Sequence, residues 1–167
     1  RGSGPPLRLL IAGDSAAGQW WGDAANLRTE TLPSALQSRW WNPRLDPPAA
    51  LCGEHVKTKG HHHPQNEAGT EYPELYQVLA GEAHFLLQHR DLTDLVVVNA
   101  RAGEGVLVPP GYGHVTINPG SEAIVMANLV SSRFASDYDF FEQMQGAAYY
   151  ACAGGEWRKN PRYGVVP

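Results

Sequence analysis

Between residues 77 and 129 the chain is cut into short apolar segments by turn residues at near-regular spacing. This cadence constrains the fold more than any other feature of the sequence. The segments are 77–79, 83–88, 95–98, 105–108, 114–117 and 123–129, rich in Val, Ile, Leu and aromatic residues. Between them stand Ala80-Gly81, Arg90-Asp91, Ala102-Gly103, Pro109-Pro110-Gly111 and Pro119-Gly120-Ser121. Many short strands separated in this way predict an antiparallel sandwich or barrel, an all-β fold. No helix-length pattern lies between them, which argues against a parallel sheet built from βαβ units.

The flanks are read with the same rules. Leu7-Arg8-Leu9-Leu10-Ile11-Ala12 predicts a short strand ending at Gly13-Asp14. Trp20-Trp21 and Trp40-Trp41 are expected to pack on a barrel end or a subunit contact, and 32–36 to form a helical turn. Pro43 and Pro47-Pro48 mark a loop or a sheet edge. After the strands, Phe140, Phe141 and Met144 form an apolar stripe over a helix at 137–145, capped by Ser136 or Asp137 and stopped by Gly146. Residues 147–152 then predict a strand, Gly154-Gly155 a turn, and 160–167 a loop.

Size and charge narrow the function. A chain of 167 residues with 43% hydrophobic and 18% charged residues suits one soluble globular domain. Its net charge of −4 argues against a general nucleic-acid binder, which needs a basic face. No apolar run approaches the roughly 20 residues that span a bilayer, and 7–12 does not read as a signal peptide. A cytoplasmic location is expected, with Cys52 and Cys152 as reduced thiols.

Chemistry concentrates at two places. His61-x-His63 puts two imidazoles on one face if the segment is extended, with His62 facing the other way. Glu74 and Tyr76 repeat that spacing, as do His114, Thr116 and Asn118. Three imidazoles and a carboxylate suit Fe, Mn, Zn, Ni or Co as a divalent ion and leave positions open for a substrate. Taken singly, a strand histidine is ordinarily structural, and a glutamate in an apolar run ordinarily points to water.

The surrounding pattern joins them. Gly103, Pro109, Gly111, His114 and Asn118 stand at the spacing of the second motif of the cupin superfamily, and His61-x-His63, Glu74 and Gly81 resemble the first, with a longer gap at 64–73. Within cupins the chain resembles the archaeal-type glucose-6-phosphate isomerase family. The likeness rests on Thr58-Lys59-Gly60-His61-x-His63, Glu74-x-Tyr76, Leu86-Leu87-Gln88, Pro109-Pro110, His114-x-Thr116-x-Asn118, Ser136-Asp137-Tyr138 and Asn160-Pro161-Arg162. It covers residues 45–167, which are expected to form a cupin double-stranded β-helix (a jelly-roll barrel) with a short C-terminal helix. Residues 1–44 are expected to form an N-terminal extension packed on it.

The resemblance implies a homodimer with one divalent metal held by His61, His63, Glu74 and His114. It implies interconversion of glucose 6-phosphate and fructose 6-phosphate through a metal-stabilised enediolate, a step of glycolysis and gluconeogenesis. Thr58 and Gly60 match its phosphate-binding segment, and Tyr76 matches a site tyrosine. Glu74 is the candidate base, and Lys59 is placed to attract phosphate or to remain a solvated edge residue. Val130 and Ser136 stand where the family has a site tyrosine and histidine. A metal-dependent cupin of another reaction class, such as an oxygenase or a rearrangement enzyme, therefore stays open. So do a metabolite-binding cupin and one domain of a larger chain.

Overall fold

The computed structural model describes residues 8–11, 42–46, 50–51, 53–131 and 133–167. The readings at Gly13-Asp14, both Trp pairs, 32–36, Pro47-Pro48 and Cys52 fall outside these residues. The described strands are β1 (Arg8–Ile11), β2 (Asn42–Asp46), β3 (Ala50–Leu51), β4 (Glu54–His55), β5 (Glu74–Ala80), β6 (Glu82–His89), β7 (Leu95–Arg101), β8 (Glu104–Val108), β9 (Tyr112–Ile117) and β10 (Ile124–Leu129). The helix α1 (Asp139–Gln143) and a hairpin of β11 (Tyr149–Ala151) and β12 (Trp157–Lys159) follow.

Two sheets carry the fold. One has the order β1-β8-β5-β10-β2 and the other β7-β6-β9. All their pairings are antiparallel except β1 with β8. Period-two alternation drives the arrangement. In β5, Glu74, Tyr76 and Val78 are buried while Leu75 and Gln77 are half-buried. Tyr76, Val78, Ile124 and Met126 of the first sheet meet Phe85 and Leu87 of the second in one core. This is the expected double-stranded β-helix. Each anticipated segment is a strand, the turns lie where Gly and Pro predicted them, and Gly81, Gly103 and Gly111 adopt positive φ of 81°, 90° and 90°. Pro43 lies in β2, at a sheet edge as its missing N–H requires.

A second apolar layer covers the outer face of the three-stranded sheet. Leu86, Val115 and Ile117 pack against Phe141, Ala147 and Ala151. Every residue of β9 is consequently buried, which is why a histidine on that strand lies deep. Asn160 locks this layer, its Nδ2 donating to the carbonyls of Met144 and Ala147 at 2.9 and 3.0 Å.

Two expectations are corrected. The helix begins at Asp139, not at 137, because the Asp137 backbone is already paired with His62, giving N–H and accepting N–H at 3.0 and 2.8 Å. Tyr138 caps the helix without a side-chain bond, although Asp137 Oδ1 accepts from the Asp139 N–H at 3.2 Å. Gln145 and Gly146 turn the chain out at φ 55° and 125°. Residues 160–167 form the expected loop; before them, the exposed strand β12 at Trp157–Lys159 has no apolar alternation to announce it. The Cys152 thiol is free and buried.

Candidate metal centre

Residues 56–62 run antiparallel to β9 as an irregular extra strand. Thr58 N–H donates to the Thr116 carbonyl at 2.8 Å, and His61 and His114 exchange backbone bonds at 3.3 and 3.0 Å. This pairing imposes alternation: His61 and His63 turn inward, and His62 turns outward against Phe140 and Phe141. Gly60 is needed for the approach, since a Cβ there would stand 2.2 Å from the Phe141 ring. Glu74 opens β5 on the opposite sheet, so the cluster lies where the two sheets meet.

The ligating atoms of His61, His63, Glu74 and His114 lie within 4.8 Å of one another, all on buried residues. The three Nε2 atoms surround one carboxylate oxygen, Glu74 Oε2, at 3.7, 3.4 and 3.6 Å. Oε2 and His63 Nε2 are buried with no hydrogen-bond partner. Buried polar atoms left this way cost free energy unless something absent from the protein satisfies them. Donors each about 2.1 Å from a shared ion stand about 3.0–3.5 Å apart, close to the separations found. The residues therefore fit a divalent metal.

Electrostatics agrees with this. Burial alone would raise the Glu74 carboxyl, but the neighbouring imidazoles of His61, His63 and His114 hold it well below the usual range. His62 is lowered to about 4, first by burial and then by Arg90, so it stays neutral.

The supporting residues are precise in their contacts. His63 Nδ1 meets the Tyr72 carbonyl at 2.6 Å, which fixes the tautomer that presents Nε2 to the cluster. Tyr76 Oη lies 3.2 Å from His114 Nε2, on the interior face expected for it. Asn128 Nδ2 donates to Glu74 Oε1 at 2.5 Å. Phe134 sets its ring edge-on to His61 and His63 at 5.9 and 4.8 Å, and Tyr138 lies 5.4 Å from His61. Sequence reasoning assigned no role to Asn128 or Phe134. Asn128 had a readable signal, a polar residue on the inward parity of Ile124 and Met126.

The residues matched to a phosphate segment lie beside the cluster. Thr58 Oγ1 accepts from the Thr116 N–H at 2.9 Å. Lys59 pairs with Glu142 and lies 4.4 Å over the Tyr138 ring. The longer segment 64–73 is a self-bonded loop: Asn66 Oδ1 accepts from Ala68 and Thr70 at 2.8 and 3.1 Å, and Tyr72 N–H returns to Pro64 at 3.1 Å. Glu71 pins it, accepting from Arg90 Nε at 2.7 Å and from the Gly111 N–H at 2.9 Å. Arg90 also donates to the His63 carbonyl at 3.3 Å.

A three-histidine, one-glutamate cluster between the sheets of a double-stranded β-helix defines a cupin whose clustered side chains could hold a metal ion. The family model described as Glucose-6-phosphate isomerase (GPI) matches residues 42–167, and the chain belongs to that family. Glucose-6-phosphate isomerase of Thermococcus gammatolerans is 29% identical over 120 residues, 71% of this chain and 61% of that protein. The enzyme of that name from Thermococcus onnurineus is 27% identical over 118 residues, covering 70% and 60%. The chain thus spans less than two thirds of the length of both relatives. A crystal structure of Lactobacillus farciminis oxalate decarboxylase in a formate complex superposes with a TM-score of 0.48 at 17% identity, over 62% of this chain and 27% of that one.

Proposed function

We propose that this chain is a metal-dependent aldose–ketose isomerase that interconverts glucose 6-phosphate and fructose 6-phosphate. The observation that carries the reading is the closure of three imidazole Nε2 atoms on Glu74 Oε2 in a chain of the GPI family. His61, His63, Glu74 and His114 would hold the ion; Fe, Mn, Zn, Ni and Co all suit this donor set. A bound divalent ion supplies Lewis acidity at the sugar carbonyl.

The reaction moves a proton between C1 and C2 of the open-chain sugar through an enediolate. Glu74 is assigned the proton transfer on one face of the sugar. Its depressed pKa keeps it in the ionised form a base must start from, while lowering its basicity. Tyr76, fixed beside His114, orients a sugar oxygen. Thr58, Lys59 and Gly60 are assigned to the phosphate, close to the cluster through their pairing with β9. A cytoplasmic homodimer belongs to the same reading.

Replacing Glu74 with Gln is expected to lower turnover about 10²–10⁴-fold while circular dichroism stays unchanged. Near-normal turnover in a coupled assay would remove the base assignment. Metal-stripped protein should be inactive and recover with one of the five ions.

A second reading is favoured by one observation: the apolar Phe134 ring lines the cluster, edge-on to His61 and His63. Such an apolar wall suits a less polar substrate and a metal-dependent cupin of another reaction class. Oxygen uptake by loaded protein that leaves both sugar phosphates unchanged would select it.

A further inference from the structure

Asn128 occupies a place where the fold asks for an apolar side chain. It lies on β10, opposite Tyr76 on β5, with the inward parity of Ile124 and Met126, and it is 8% exposed. Its amide is only half used. Nδ2 donates to Glu74 Oε1 at 2.5 Å, while Oδ1 is buried with no hydrogen-bond partner. A core that tolerates the orphaned acceptor retains the amide for its N–H.

The N–H acts on a choice that Glu74 would otherwise leave open. A carboxylate has two equivalent oxygens and can offer an ion one or both. The Asn128 bond engages Oε1, while Oε2 faces the Nε2 atoms of His61, His63 and His114 at 3.7, 3.4 and 3.6 Å. The amide cannot serve turned around, because Oδ1 against an ionised carboxylate would set two acceptors face to face.

We infer that Asn128 is a positioning residue of the metal centre: its amide N–H holds Glu74 as a single-oxygen ligand and so keeps a coordination position open for the substrate. This rests on the reading that the cluster holds a metal. It adds a residue on a different strand from any of the four ligands.

The test uses Co(II), whose visible spectrum reports coordination number, on the full chain. Asn128→Leu keeps similar volume and removes the donor. It should weaken Co(II) binding about 10–100-fold and change the intensity of the visible bands as Glu74 offers both oxygens. Met126→Leu, two residues away on the same face, should leave both readings at wild type. If Asn128→Leu does not fold, Asn128→Ala is measured instead, on protein with a cooperative melt. Wild-type affinity and spectrum in the Asn128 variant would overturn the inference, as would an equal change in Met126→Leu, which would mark a general softening of the core. Wild-type protein that takes up no Co(II) would overturn the metal reading itself. Uptake by wild type with no effect at Asn128 overturns this inference alone.

Discussion

His61, His62 and His63 are neighbours in sequence with unlike surroundings, because a strand sends alternate side chains to opposite faces. The outer two gain a carboxylate; His62 gains an apolar slot. Its ring lies 5.5 and 5.0 Å from Phe140 and Phe141, and both of its nitrogens are buried without a hydrogen-bond partner. Gly113 makes the room, since a Cβ there would stand 2.6 Å from the His62 ring. Unsatisfied buried polar groups cost about 1–3 kcal/mol, and an apolar side chain of similar volume removes that cost. His62→Leu should therefore stabilise the protein by about 1 kcal/mol, raising Tm by about 2–4 °C. A lower Tm in thermal melts would contradict this account. Metal affinity should not change, since His62 faces away from the cluster. Gly60 illustrates how one residue accommodates two readings. The sequence pattern places it in a phosphate segment, and the fold gives it a packing reason at Phe141.

Among the elements, the loop 64–73 was the least readable. Its composition announces a turn-rich excursion but not where it is tied. The ties are made by Glu71, through Arg90 and Gly111, and by the Tyr72 carbonyl, which orients His63. The loop is thus a support of the histidine–glutamate cluster as well as an insertion. Glu71→Ala removes charge-assisted bonds on a buried carboxylate, a loss of about 2 kcal/mol. Its melting temperature should fall and its metal dissociate faster, and unchanged values for both would show the loop to be independent of the site. The strands, by contrast, were legible because alternation and turn residues are local signals. The helix start was misplaced because the partner that claims Asp137, His62, is remote in sequence. The four residues of the cluster were legible from spacing and motif. Of the supports, Asn128 left a signal in its inward parity on β10, whereas Phe134 and Arg90 lie outside the strands and reach the site only through the tertiary fold.

At the scale of the whole molecule, stability should depend on pH through groups outside the centre. His84 stacks on Trp157, with ring centroids 6.5 Å apart. Burial lowers its pKa from 6.5, Glu82 opposes that, and His55 adds to it. As pH falls, the unfolded chain takes up this proton before the folded one does. The stability it contributes is present above about pH 6.5 and lost below it. The wild-type melting temperature should fall between pH 7 and 5, and His84→Gln should flatten that slope. Equal slopes would assign the acid sensitivity elsewhere. The first sheet also includes β1, paired parallel with β8, and β2, paired with β10, so described segments on both sides of 12–41 join one sheet.

Placing the cluster between the sheets has a kinetic consequence. Glu74 belongs to one sheet and His114 to the other, so an ion held by both, as proposed, would cross-link them. Release requires the sheets to part or the ligands to let go one at a time. The rate at which a chelator draws the metal out therefore gauges how often the sandwich breathes, and a change that stiffens the far side of the core should slow it without touching a ligand.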